Sequence, residues 1–328
     1  MQNLLDPAIL FFVFGVLAGA LRSNLEIPPA IAKFLSLYLL MALGLKGGFA
    51  LAKSGLSPTV LLSLGAAMLM AFIVPALGYQ LLKNRVSRFD AAAIAASYGS
   101  VSAVTFVTAM QYLEGNGMAP GGHMAAALVV MESPAIIMAV LLANALRHAP
   151  GNVVSVSPHG GATPTTPLGK ILHESFTDGA QLLLLGAMAV GYLSGEAGMA
   201  VMAPFSSDLF KGMLAFFLLD MGLLVARSFG SVRGSSPLLL AYASLGPLVH
   251  AGIALALAAL LQLPAADAAL LMVLSASASY IVVPAVLRYA IPEANPSLYL
   301  GLSLGITFPL NILFGIPLYT WVAGRLLG

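Results

Sequence analysis

Apolar residues run along this chain in long blocks, and the polar stretches between them are short. The blocks predict ten helices, at about 7–22, 27–52, 57–83, 89–113, 120–147, 175–194, 203–228, 236–262, 265–289 and 297–325. A bilayer crossing takes roughly 20 apolar residues. Several blocks exceed that, so tilt or extension beyond the bilayer is expected. In lipid the backbone must satisfy itself, and long runs without period-two alternation do so as helices. The expected fold class is an all-α polytopic membrane protein.

One stretch breaks the pattern. Residues 148–170, from His148 to Lys170, are rich in Pro, Gly, Ser and Thr and read as a linker. The chain then divides into a first half at 1–147, a linker at 148–174 and a second half at 175–328, with five helices in each half.

The halves resemble each other. The run from Asp90 to Thr105 contains Gly99, Ser100, Val101 and Ser102, and the run from Asp267 to Pro284 contains Ser277, Ala278, Ser279 and Tyr280. Asp90 and Asp267, Ser100 and Ser277, and Ser102 and Ser279 are all 177 positions apart. Leu45-Lys46-Gly47-Gly48 likewise aligns with Leu219-Asp220-Met221-Gly222, and Pro134 aligns with Pro309. With five helices per half the two copies run in opposite directions. Two inverted five-helix repeats with small polar residues interrupting matched spans are a recurring build of secondary transporters.

Composition narrows the class. The chain is 60% hydrophobic and 8% charged, with mean hydropathy +0.98, against about 25% charged residues in a soluble domain. Only 14 Lys and Arg and a net charge of +2 leave no footprint for nucleic acid. The absence of cysteine excludes disulfides and thiolate chemistry. The first residues lack the basic region of a signal peptide, so the first apolar run is expected to remain as a span. Arg22, Lys83, Arg85, Arg88, Arg147, Lys170, Arg227, Arg233 and Arg288 fall on one side of the predicted membrane. Lys53, Arg325 and Lys46 fall on the other. The positive-inside rule makes the first side cytoplasmic, with both termini outside and the linker inside.

Candidate chemistry sits inside the spans. Gly and Ser within a run of small residues weaken a helix, and a broken helix offers its N-terminal amides to an anion and its freed carbonyls to a small cation such as sodium. The competing role for such residues is close helix packing. Glu132, in Met131-Glu132-Ser133-Pro134, places a carboxylate at membrane depth, where an ionisable group marks a functional site by default. Its counterpart helix carries Thr307, Pro309 and Asn311. Lys46 and Asp220 occupy equivalent positions with opposite charge and are expected to form a buried, structural ion pair. His250 lies mid-span as a proton relay or a packing histidine. Asp90, Asp208 and Asp267 stand near helix starts as candidate N-caps. Gly301-Leu302-Ser303-Leu304-Gly305 matches the nucleophile-elbow pattern but lacks its strand–turn–helix setting, and no zinc-protease or phosphate-loop motif occurs. An enzyme is not expected, nor any metal beyond sodium.

The chain resembles the sodium-dependent bicarbonate transporter family known from cyanobacteria. The resemblance runs nearly end to end, through Ile27–Lys33, Leu45–Gly48, Met131–Ala135, Pro247–His250 and above all Leu287–Ser297. It implies a core domain that moves against a gate domain, by an elevator or rocking movement, in a homotrimer. It implies no cofactor besides sodium as coupling ion. It places bicarbonate and sodium at the two serine runs, where Gly99, Ser102, Thr105, Ser277 and Ser279 match the family motif; the substrate candidates are Gly99, Ser100, Val101, Ser102, Ser277, Ala278, Ser279 and Tyr280. Thr105, Glu132 and Asn311 are the sodium candidates. Two features depart from the family pattern. Tyr280 stands where the family has an aspartate, and the linker to which a PII-like regulator would bind on the cytoplasmic face is short. The expected protein is a sodium symporter of bicarbonate in a bacterial inner membrane. Its rivals are a proton- or sodium-coupled carrier of another small anion or carboxylate, and an anion sensor that does not transport.

Overall fold

The computed structural model describes residues 6–55, 57–147, 179–232 and 234–328. The linker at 148–174 and the expected helix start at 175–178 lie outside them. Among the described residues all regular secondary structure is helical. Its helices are α1 (Pro7–Ala20), α2 (Pro29–Ser54), α3 (Pro58–Leu82), α4 (Arg88–Gly99), α5 (Ala103–Gly115), α6 (Met124–Arg147), α7 (Gly179–Ala203), α8 (Phe210–Val232), α9 (Pro237–Leu260), α10 (Ala265–Ala276), α11 (Val282–Ala290), α12 (Pro296–Leu302) and α13 (Ile316–Leu326). Between α12 and α13 the chain stays helical through two wide π turns, Ser303–Thr307 and Asn311–Gly315.

Seven helical stretches among the described residues are long and apolar enough to cross a membrane. One of them, Gly179–Gly230, has 52 residues and is long enough to cross twice. The expected end of the sixth block at residue 194 coincides with Gly195, whose φ of +56° kinks α7. α1 and α10 are shorter apolar helices of 14 and 12 residues. Large apolar side chains such as Leu21, Leu61, Leu193 and Leu260 are exposed, as a lipid-facing surface requires.

The helices pack in two groups. α1 lies along α8 and α2 along α7, while α3 packs on α4 and α6, and α10 on α9 and α13. Contacts between the groups are sparser. The long pairings in the first group rest on glycine. A Cβ on Gly48 would sit 2.1 Å from the Met188 carbonyl oxygen, and one on Gly191 2.5 Å from that of Leu45. In the other pair, a Cβ on Gly222 would sit 2.2 Å from the Phe12 carbonyl oxygen and one on Gly15 2.3 Å from that of Leu219. Such backbone-to-backbone approach is how membrane helices associate where burial from water gives no drive.

Polar clasps close the second group at its ends. Arg147 at the end of α6 grips Glu293 with two bonds, Nε to Oε1 at 2.8 Å and Nη2 to Oε2 at 2.7 Å. The Asn295 amide donates to Asp90 at 2.7 Å, and the Asn295 side chain caps α12 through the Ser297 amide. The segment Ile291–Ser297, the most distinctive in the sequence, therefore works as a joint. Asp90 and Asp267 are not the expected N-caps. Ser87 caps α4, with Asp90 in its first turn, and Asp267 instead accepts from the Gly121 amide at 2.6 Å, beside His123 at 3.4 Å. Asp208 ends the wide turn Pro204–Asp208.

The Arg147 bonds hold the Glu293 carboxyl below its ordinary value of 4.5. A depressed carboxyl stabilises the fold in full above its unfolded value, and that contribution is lost as pH falls through the folded value. Glu293→Gln should therefore lower unfolding stability by about 1 kcal/mol at neutral pH, since the carboxylate is partly exposed. The gap to the parent protein should hold down to the ordinary carboxyl range and narrow below it, which thermal unfolding against pH will read.

Candidate functional site

The two serine-rich runs are where the helices break. α4 ends at Ser100, whose backbone is extended, and α5 restarts after Ser102. α10 ends at Ser277, also extended, and α11 restarts after Ile281. The breaks face and bond each other. The Ser102 amide donates to Ser277 Oγ at 3.0 Å, and the Ser279 amide donates to the Ser97 carbonyl at 2.7 Å.

Three of the serines have a definable task. Ser102 Oγ caps α5 by accepting from the Thr105 amide at 3.2 Å, and it also accepts from the Thr105 hydroxyl at 2.9 Å. Ser279 Oγ accepts from the Val283 amide at 3.3 Å in the first turn of α11. Ser277 Oγ donates to the Leu274 carbonyl at 2.8 Å. Ser100 Oγ is buried with no hydrogen-bond partner among the described residues.

A cavity of about 70 Å³ opens at this crossing. One wall holds Val101, Ser102, Ala103 and Val104 from the first break, and Ser279, Tyr280, Ile281 and Val282 from the second. Glu132 of α6 completes it, and Ser36 and Leu40 of α2 with Ala180 of α7 form the opposite wall. The cavity therefore lies between the two helix groups. Its volume suits about five water-sized groups. The starts of both α5 and α11 line it, and the first amides of a helix have no partner within that helix. Amides and helix dipoles of this kind favour an anion.

Glu132 brings negative charge to the same cavity. It is 6% exposed, and its Oε2 accepts from Gln181 Nε2 at 2.8 Å. Pro134, two residues on, denies the Val130 carbonyl its helical donor. Tyr280 stacks edge-on against Phe308, with ring centroids 5.1 Å apart, and its hydroxyl lies 3.8 Å from the Met221 sulfur.

Not every expected residue lines the cavity. Gly99 packs on Pro75, where a Cβ would fall 2.5 Å from the ring, and Ser277 and Ala278 lie behind the wall. Thr105 reaches the site through Ser102. Asn311 stands apart, donating to the Ala276 carbonyl at 2.8 Å and accepting from the Tyr319 hydroxyl at 3.2 Å. The carbonyls of Ser97, Leu274 and Ala276 already accept bonds, so the breaks present amides more than carbonyls. His250 sits elsewhere, beside Tyr242 on a groove between α3 and α9. Ser303 spends its hydroxyl on the Tyr299 carbonyl at 2.6 Å.

The ion pair of Lys46 with Asp220 is corrected. Lys46 Nζ pairs with Glu114 Oε2 at 3.0 Å and lies over the Phe210 ring. Repeat symmetry equated the positions of Lys46 and Asp220, but equivalent positions on α2 and α8 need not meet, and the carboxylate within reach comes from α5. Gln181 was not foreseen. Its signal was an uncharged polar side chain ahead of the apolar run Leu182–Leu185.

A multi-pass helical membrane protein whose two broken helices meet at an ion-sized cavity beside a buried carboxylate has the build of a membrane transporter. The model of the Na+-dependent bicarbonate transporter superfamily matches residues 7–324, and the chain belongs to that superfamily. Comparison with curated proteins gives no match.

Proposed function

We propose that the protein is a sodium-coupled bicarbonate symporter whose substrate site is the cavity at the crossing of the broken helices. The observation that carries this reading is the meeting of two helix starts and a carboxylate in one small, buried space. Bicarbonate, a planar anion of one carbon and three oxygens, takes the amides at Ala103 and Val104 and the hydroxyls of Ser102, Ser279 and Tyr280. Sodium takes the Glu132 carboxylate with Ser102 and Thr105 oxygens nearby. Asn311 steadies the end of α10 by holding the Ala276 carbonyl. With both ions present the site carries less net charge, which lowers the cost of moving it through the membrane.

The glycine contacts support an inverted repeat of ten spans. Gly48 against Gly191 and Gly15 against Gly222 join positions that the repeat equates, since Gly48 corresponds to Gly222 and Gly15 to Gly191. The two packing groups support a gate of α1, α2, α7 and α8, and a core of the remaining helices carrying the site. Core sliding against gate, in a trimer with both termini outside a bacterial inner membrane, completes the reading. The replacement of an acid by Tyr280 offers a donor to the anion and leaves Glu132 as the cavity's carboxylate.

Labelled bicarbonate uptake into proteoliposomes tests it. An inward sodium gradient should stimulate uptake several-fold over a choline gradient. Uptake driven by a proton gradient with no response to sodium would overturn the sodium assignment. Binding without uptake would overturn transport.

A further inference from the structure

Glu132 and Gln181 belong to different helix groups. Glu132 rides on α6, which packs with α3 and α4, and Gln181 rides on α7, which packs along α2. Their bond therefore crosses the seam where the candidate site lies, and both side chains are buried, 6% and 4% exposed. An amide that donates to a buried carboxylate does there what a cation would do: it offsets the charge. A sodium ion approaching Glu132 Oε2 and the Gln181 amide compete for the same oxygen.

We propose that Gln181 is the residue that couples sodium occupancy to movement, holding Glu132 across the seam while sodium is absent and releasing it when sodium binds. The inference rests on the reading of Glu132 as a sodium ligand and adds the partner that sodium displaces. In the sodium-free state the bond satisfies the carboxylate and fixes the core to the gate. Sodium binding takes over the carboxylate, the amide lets go, and the seam is free to slide. Gln181 is thus a positioning residue, acting through Glu132 rather than on bicarbonate. This bond reaches from α7 into the opposite group at the depth of the cavity, and Ala180 beside Gln181 lines the cavity wall.

The test is sodium-dependent thermal unfolding of the full-length protein in detergent, with choline chloride keeping ionic strength constant. The parent protein should be stabilised by sodium in a saturable way. Gln181→Leu should unfold at lower temperature without sodium, and should reach half-maximal stabilisation at about tenfold less sodium, because a charge-assisted bond no longer competes. Gln181→Asn, whose shorter side chain draws the amide back from Glu132, should shift the midpoint the same way and covers the case in which the leucine variant does not fold. A lower unfolding temperature with unchanged sodium midpoint in both variants would mean a packing role only and would overturn the proposal. No stabilisation of the parent protein by sodium would overturn it as well. Sodium stabilisation with the predicted shift, in a protein that takes up no bicarbonate, would leave Gln181 standing and remove the bicarbonate assignment instead.

Discussion

Glu132→Gln should weaken sodium activation of uptake about 100-fold while leaving a folded protein. The carboxylate is buried, lines the cavity and faces the seam. Two unit charges about 4 Å apart attract by about 4 kcal/mol at an effective dielectric constant near 20. Dehydrating sodium takes back part of that. A net loss near 2.7 kcal/mol corresponds to about 100-fold in affinity. Glutamine has the same shape and keeps an oxygen for the Gln181 amide, so the helices on both sides keep their contact. The readout is the sodium concentration for half-maximal uptake at fixed bicarbonate. An unchanged value in a correctly inserted variant would take Glu132 out of the sodium site.

Gly48→Ala is the second large effect, and it acts on the fold. The added Cβ would stand 2.1 Å from the Met188 carbonyl oxygen and 2.7 Å from the Tyr192 amide. These are backbone atoms of a facing helix, so no side chain can swing aside. α2 and α7 must part, and overpacking of this kind costs about 3 kcal/mol. The expected outcome is a marked fall in unfolding temperature and in the yield of monodisperse protein. Gly65→Ala serves as the control. Gly65 lies within α3, with nothing within 4 Å of its added Cβ, and alanine favours a helix over glycine by about 1 kcal/mol. If Gly48→Ala is as stable as the control, the α2–α7 packing is looser than the structure indicates.

How legible was all this in the sequence? The helical blocks were, because a chain that must satisfy its backbone in lipid announces its spans as long apolar runs. The breaks were legible too, since the serines recur at one fixed spacing in two separate runs, which helix packing alone does not require. Glu132 stood out as an acid at depth and does line the cavity. What stayed hidden were partners. Lys46 could be seen as a cation in need of an acid, but the pattern offered Asp220 and the three-dimensional path supplied Glu114. Asp267 resembled a cap and instead reaches a backbone amide 146 residues earlier. Gln181 carries no charge, so its one mark, a polar side chain ahead of an apolar run, gave no hint of its partner Glu132. Gly99 and Ala278 were drawn into the site by their neighbours' pattern, which cannot tell a cavity wall from the layer behind it.

The bonds between the two breaks also set an order of events during synthesis. Ser102 emerges from the ribosome 175 residues before Ser277, the residue whose hydroxyl its amide will use. At about 5–20 residues per second the wait is roughly 10–35 seconds. An interrupted segment standing alone in lipid through that interval would leave the amide bare, at a cost of several kcal/mol. Ser279 in turn needs the Ser97 carbonyl already in place. Neither interruption is finished by its own half, so the ion-sized space between them comes into being only as translation ends.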